Sequence, residues 1–345
     1  MDNPFNVTFG ELPSSLVSRE NDMHIIESVF GQTTPESKVY IISGPRGSGK
    51  TVLLTSLINS FKDKGYLTID LNPFEDLHEQ FAAKLYEEGK MRKLFLHPEF
   101  SISFKGITFS IEGDSPVNNV STLIDKMLEY LKSKGKRVLV TIDDISTTIY
   151  VKSFIFSYQQ MIRNGYDVFL LVTGLYENVS ALERDKSLTF FLRAPKLNLG
   201  PLNLFEITAL YKNLLNLSNK DASKYAKMTK GYAYGYQLIG SFLFKNGNSS
   251  KLLDDYDFNL AKNSYSLSWE RLSAKEKEIL IGLTETNKQT ELCNLLNMTN
   301  GNLQTYKKRL IEKGIIVSKR RGEIEFALPR FKEFVDMAKE FESDD

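Results

Sequence analysis

The sequence predicts an α/β protein: a parallel sheet with helices on its faces, then a helical lid, then a small domain of helices and a basic hairpin. Three observations predict it. Short apolar runs rich in β-branched residues alternate with stretches of helical period, the order expected of strand–helix units in a parallel sheet. A glycine-rich loop separates the first of these strands from the helix that follows it. Near the C-terminus, three helical stretches precede two short runs that flank Arg320-Arg-Gly322.

The N-terminal residues are mixed. Asn3-Pro-Phe and Glu11-Leu-Pro predict extended loop, and residues 17–30 predict a helix with Ser18 as its cap and Met23, Ile26 and Phe30 on its apolar stripe. Lys38-Val-Tyr-Ile-Ile-Ser43 then reads as a buried strand. Gly44-Pro-Arg-Gly-Ser-Gly-Lys-Thr51 follows, and after it come apolar residues 53, 54, 57, 58 and 61 at helical spacing. The chemistry explains this order. Gly44, Gly47 and Gly49 let the backbone turn tightly and bring N–H groups up to phosphate oxygens. A helix starting near Gly49 directs its free N–H groups and positive dipole end to the same anion. Lys50 reaches β- and γ-phosphates, and the Thr51 hydroxyl suits Mg²⁺. The segment Gly44, Pro45, Arg46, Gly47, Ser48, Gly49, Lys50, Thr51 and Val52 is therefore the candidate site for ATP or ADP. Arg19 has two readings, a surface charge or a residue near the nucleotide base.

The rest of the sheet follows in order. Residues 66–71 predict a second strand and residues 76–88 an amphipathic helix. Residues 100–111 alternate on both sides of Lys105-Gly106, a hairpin pattern that either covers a sheet edge or touches a partner. Residues 121–134 predict a helix, closed by a glycine and cations. Val138-Leu-Val-Thr-Ile-Asp-Asp144 is an apolar strand ending in two carboxylates. Asp143 is the candidate Mg²⁺ ligand and Asp144 the candidate that polarises water; the other reading of the pair is a cap for the next helix. Residues 154–164 predict that helix. Residues 167–174 predict another buried strand ending at Thr173, a γ-phosphate or water contact or simply a strand-end threonine. Lys50, Asp143 and Thr173 all fall at or just after strand carboxyl ends, where open α/β sheets bind ligands. A last short strand lies within residues 189–200, with Arg193 near its start.

Residues 203–244 predict three helices of a lid, 205–214, 221–228 and 236–244, and Lys245-Asn-Gly-Asn-Ser-Ser250 reads as a linker. Residues 257–271 carry the lone Trp269. Ser273-Ala-Lys-Glu276 predicts a capping box, residues 290–297 a second helix and residues 300–314 a third ended by Gly314. Strands at 315–318 and 323–327 complete a winged helix-turn-helix. Lys307, Lys308, Arg309, Lys313, Lys319, Arg320 and Arg321 gather on its third helix and wing, with Glu312 the one acidic residue among them. This patch either binds duplex DNA, with Asn302, Gln304 or Lys308 at base edges, or belongs to a protein-interaction module. The acidic tail from Glu340 to Asp345 is expected to be solvated.

Composition bounds the function. A chain of 345 residues predicts two or three domains. The division expected is 1–37 arm and helix, 38–200 core, 201–250 lid and 251–345 winged-helix domain. A net charge of +1 leaves nucleic-acid contact to a local patch. The single cysteine, Cys293, excludes an intramolecular disulfide and fits a reducing, cytoplasmic setting. No apolar run approaches the ~18 residues that span a bilayer, so no membrane partner is expected. Met1-Asp-Asn-Pro lacks the basic and apolar regions of a signal peptide. His24, His78 and His97 are scattered, which argues against a zinc site.

The order Val17-Ser-Arg-Glu20, GPRGSGKT, LVTIDD, LLVTG, helical lid and winged helix resembles the AAA+ ATPases of the origin-recognition and STAND-like branch, over nearly the whole chain. The resemblance implies five parallel strands, with ATP between sheet and lid. It implies that Lys50 and Thr51 act on phosphate and Mg²⁺, Asp143 on Mg²⁺ and Asp144 on water. It also implies that Thr173 is a sensor and that Arg193 is a finger reaching a neighbouring subunit in a homo-oligomer. Thr229-Lys-Gly-Tyr-Ala-Tyr-Gly-Tyr-Gln-Leu-Ile-Gly240 resembles the lid motif that often reads Gly-x-Pro. Three departures stand out: Asp144 replaces the more common Glu, Ala233 replaces the lid proline, and Tyr234 or Tyr236 stands where relatives carry an arginine. They imply a slowly hydrolysing ATPase that acts as a switch, through DNA or a partner protein.

Overall fold

The computed structural model describes residues 2–8, 13–88, 91, 102–104, 107–109 and 120–343. Glu11, His97, the Lys105-Gly106 turn and the last two residues of the acidic tail lie outside the described residues. By backbone contacts the chain divides into two compact units. One comprises Glu20–Ser43 and Leu53–Leu197; the other comprises Met1–Arg19, Gly44–Val52 and Asn198–Asp345.

The first unit holds the sheet. Its elements in chain order are α1 (Glu20–Phe30), β1 (Val39–Ser43), α2 (Lys50–Asp63, most of it here), β2 (Leu67–Leu71), α3 (Leu77–Glu88), β3 (Ile102–Phe104), β4 (Ile107–Phe109), α4 (Val120–Ser133), β5 (Val138–Ile142), α5 (Ile149–Arg163), β6 (Val168–Gly174), α6 (Tyr176–Glu183) and β7 (Lys196–Asn198). The five-stranded sheet has the order β2-β5-β6-β1-β7. β1 pairs with β6, β6 with β5 and β5 with β2, all in parallel. The three inner strands are buried at every position, which explains their mostly apolar character, whereas the edge strands β2 and β7 are partly exposed. The register Ser43↔Gly174 and Ile142↔Val172 brings the carboxyl ends of β1, β5 and β6 to one edge. The predicted hairpin forms as β3 and β4, which pair antiparallel with each other as a separate two-stranded sheet.

Two details depart from expectation. α5 begins at Ile149, earlier than predicted, because Thr148 caps it by accepting the Val151 N–H. The cap is thus Thr148, which removes the reading of Asp143 and Asp144 as capping residues. α6 is a further helix, starting after Leu175 without a side-chain cap.

The second unit contains α7 (Leu204–Leu215), α8 (Asn219–Met228), α9 (Ala233–Asn246), α10 (Leu252–Leu260), a π-helical turn (Ala261–Tyr265), α11 (Ser266–Glu270), α12 (Ala274–Glu285), α13 (Gln289–Leu295), α14 (Asn300–Glu312), β8 (Ile316–Val317), β9 (Glu325–Phe326) and α15 (Phe331–Ser343). The capping box forms as predicted, with Ser273 and Glu276 bonding each other's backbone N–H. Gly314 ends α14 at φ 70°, a left-handed position that favours glycine. β8 and β9 pair antiparallel. One apolar cluster runs from Phe5 and Val17 through α7, α8 and α9 to Phe331 and Val335. α15 is a helix the sequence reading leaves out. No helix among the described residues is long and apolar enough to cross a membrane.

Candidate nucleotide-binding site

The glycine loop is built as its residue types demand. Gly47 and Gly49 have φ of 72° and 92°, conformations that strain any residue with a Cβ. The Ser48 N–H donates to the Pro45 carbonyl at 3.2 Å, closing the turn. Lys50 opens α2, and its ammonium folds back over the loop to donate to the Gly44 and Pro45 carbonyls at 3.0 and 2.9 Å. Thr51 and Val52 occupy the same first turn, partly exposed. The Ser48 hydroxyl and the Arg46 Nε are buried with no protein partner. Buried polar groups are almost always bonded, so two orphans in a glycine loop at a helix N-terminus fit a phosphate-bearing ligand.

Three further segments of the same unit grip this loop. Arg19 donates through Nη2 to the Ser48 carbonyl at 3.1 Å and to the Gly200 carbonyl at 2.9 Å. It therefore staples the loop's backbone to the segment leading into the lid. The lid turn supplies the second grip: the Tyr232 hydroxyl donates to the Arg46 carbonyl at 2.6 Å, and the Tyr234 N–H donates to the Gly47 carbonyl at 2.9 Å. A Cβ at Gly47 would collide with the Tyr232 hydroxyl and lie 2.9 Å from the Tyr234 Cβ. The third is Gly314, whose added Cβ would meet the Pro45 ring at 2.7 Å. The sequence singles out the Thr229–Gly240 stretch for its missing proline and arginine, but it gives no sign that its tyrosines hold the loop.

The acidic turn belongs to the sheet unit. The Thr173 hydroxyl, fully buried, donates to the Asp143 carboxylate and accepts the Asp144 N–H at 3.1 Å. The Ile145 N–H donates to the Thr173 carbonyl at 2.7 Å. Asp144 has φ 50°, uncommon for a residue with a side chain but a region that aspartate enters more readily than most. Asp143 is half-buried and Asp144 exposed. Thr173 thus holds both acidic residues in place. Among the described residues no three His, Cys, Asp or Glu side chains cluster as a metal site. Arg193 ends a 3₁₀ turn, Phe191–Arg193, and is exposed beside Leu192, itself 57% exposed.

The basic patch is smaller than its sequence. Lys307 is buried on the inner face of α14 and donates to the Ser318 hydroxyl at 3.2 Å, and burial lowers its pKa. This corrects its place among exposed cations. Lys313 is buried too, paired with Glu276 at 3.0 Å. Lys319 pairs with Glu325 at 2.7 Å. Lys308, Arg309, Arg320 and Arg321 remain exposed.

Comparison with known proteins bears on this geometry. None of the curated proteins matches the chain. The Walker-type ATPase of Pyrococcus abyssi is similar in structure, with a TM-score of 0.65 and 13% identity over 94% of this chain and 97% of that one. The ADP form of the ORC2 protein of Aeropyrum pernix gives a TM-score of 0.52 and 14% identity over 96% of each. At these identities the likeness is one of fold, a P-loop ATPase fold with a parallel five-stranded sheet. Residues 262–335 match a domain of unknown function. The model of a family described as an ATPase domain predominantly from Archaea matches residues 16–194, more than half of the chain, and the protein belongs to that family.

Proposed function

We propose that the protein is an ATP-driven switch: it binds ATP in the glycine loop, hydrolyses it slowly, and uses the nucleotide state to control a C-terminal winged-helix arrangement that contacts duplex DNA. The loop carries this reading, through its two left-handed glycines and its orphan donors at Arg46 and Ser48. Lys50 would neutralise the phosphates, and Thr51 and Asp143 would hold Mg²⁺, which supplies charge stabilisation at the phosphoryl group. Asp144 would orient the attacking water. Slow turnover follows from its short side chain and from the tyrosine, Tyr234 or Tyr236, that stands where similar lids carry an arginine. The exposed Arg193 suits a finger toward a second copy. A single cysteine keeps a cytoplasmic setting part of the reading. ATP hydrolysis measured with and without duplex DNA tests it: a slow rate altered by DNA is expected, and no nucleotide binding at all would refute it.

A second reading has its own support. Burial of Lys307 and Lys313 and pairing of Lys319 thin the basic surface, which favours a module that holds nucleotide and contacts a partner protein. Salt decides between them. DNA affinity that falls steeply with salt, and is lost when Lys308, Arg309, Arg320 and Arg321 are changed to Ala, supports DNA contact. Absence of binding at low salt supports the partner-protein reading.

A further inference from the structure

The lid tyrosines lead from the loop into the C-terminal helices. The Tyr232 hydroxyl lies 2.6 Å from the Arg46 carbonyl and 2.7 Å from the Ser264 hydroxyl. A phenol has one proton, and a carbonyl only accepts. Tyr232 therefore donates to Arg46, and Ser264 must donate to Tyr232. Tyr232 is 5% exposed and Ser264 2%, so water does not compete for these bonds. The adjacent Asn263 donates its Nδ2 to the Tyr234 hydroxyl at 2.8 Å. Asn263 and Ser264 both belong to the π-helical turn Ala261–Tyr265. Such turns are rare and concentrate at functional sites. This one is anchored in the C-terminal core, where the Tyr265 hydroxyl donates to the Pro329 carbonyl at 2.6 Å and the Tyr265 ring packs edge-on against Phe331 at 4.8 Å.

The grip acts on the part of the loop that binds anions. A trans peptide is planar, with its C=O and the next residue's N–H pointing in opposite directions. Holding the Arg46 carbonyl from the lid side therefore aims the Gly47 N–H away from the lid. The next plane is held at both ends, by the Tyr234 N–H on the Gly47 carbonyl and by the Ser48 N–H on Pro45.

We propose that Ser264 and Tyr232 form a donor relay by which the C-terminal helical domain sets the geometry of the glycine loop, with Tyr232 a positioning residue for the nucleotide. The inference rests on reading that loop as the nucleotide site. The Pro45–Gly314 contact is a second link between the same two parts. The relay makes the π-helical turn a control point: whatever shifts it loosens the Arg46 carbonyl.

Tyr232→Phe removes one oxygen and keeps the ring in the core; Ser264→Ala removes the upstream donor. Two readouts on the full chain decide. In hydrogen–deuterium exchange without nucleotide, both variants should speed exchange of the amides at residues 46–49, Tyr232→Phe more. In calorimetric titration with ATP, Tyr232→Phe should weaken binding about ten-fold and Ser264→Ala a few-fold. The double variant should match Tyr232→Phe alone, because Ser264 acts through Tyr232. Unchanged loop exchange in both variants, or losses in affinity that add fully, would overturn the relay. A wild-type protein that binds no ATP would remove the nucleotide reading, while the exchange result still decides whether the relay holds the loop.

Discussion

Thr173→Val tests the acidic turn with the smallest change available. Valine keeps the volume and β-branching of threonine and removes its hydroxyl. That hydroxyl donates to the Asp143 carboxylate and accepts the Asp144 N–H, from a side chain with no exposure to solvent. A bond to a charged group contributes about 1.5–3 kcal/mol and a neutral one about 1 kcal/mol. Water reaches the exposed Asp144 and recovers part of this, leaving a net loss of about 2 kcal/mol. The left-handed backbone of Asp144 costs about 1–2 kcal/mol and depends on such support, so the turn relaxes when the hydroxyl goes. The expected result has two parts. Thermal unfolding shifts down by several degrees, and phosphate release slows ten-fold or more, since each 1.4 kcal/mol is about a factor of ten. ATP affinity should stay within about three-fold, because it is assigned to Lys50 and the loop amides. Thr173→Ser, which keeps the hydroxyl, should retain most activity. Wild-type turnover in the valine variant, or a serine variant as slow as the valine one, would refute the reasoning.

Other outcomes follow from the same structure. Lys313→Met leaves the Glu276 carboxylate buried without its cation and should destabilise the protein by about 3 kcal/mol in urea unfolding. Burial pulls the Glu276 carboxyl up, but the Ser273 N–H and Lys313 outweigh it and hold the group below its ordinary 4.5. Its contribution is therefore complete above pH 4.5 and fades as pH falls further; Glu276→Gln should flatten that part of the stability–pH curve. Arg19→Ala, which frees the Ser48 and Gly200 carbonyls, should weaken ATP and GTP by the same factor, about ten-fold. A loss confined to ATP would show that Arg19 reads the base.

Much of the sheet is legible in the sequence because burial on both faces makes β1, β5 and β6 short, mostly apolar runs, with Ser43, Thr141 and Thr173 their only hydroxyl residues besides the Tyr40 phenol. The loop is legible because Gly47 and Gly49 occupy conformations that other residues avoid, and the capping box because Ser273 and Glu276 satisfy each other locally. What escaped depends on phase and tertiary contact. Leu303, Lys307 and Leu310 share one helical face, so the burial of Lys307 was available from spacing once charge was set aside. α15 had a signal too, in Phe331, Phe334, Val335 and Ala338 at helical intervals. α6 had little, being short and uncapped. The hold of Tyr232 and Tyr234 on the loop joins residues far apart in sequence, and no local pattern encodes it.

The central claim is that Gly44–Thr51 binds ATP, and calorimetric titration of wild type and Lys50→Ala with Mg·ATP tests it most directly. Saturable binding by the wild type is expected. The variant should lose at least about a hundred-fold, two decades of affinity for one phosphate-facing cation, with unfolding in the absence of nucleotide unchanged. Equal affinity in the two proteins would contradict it.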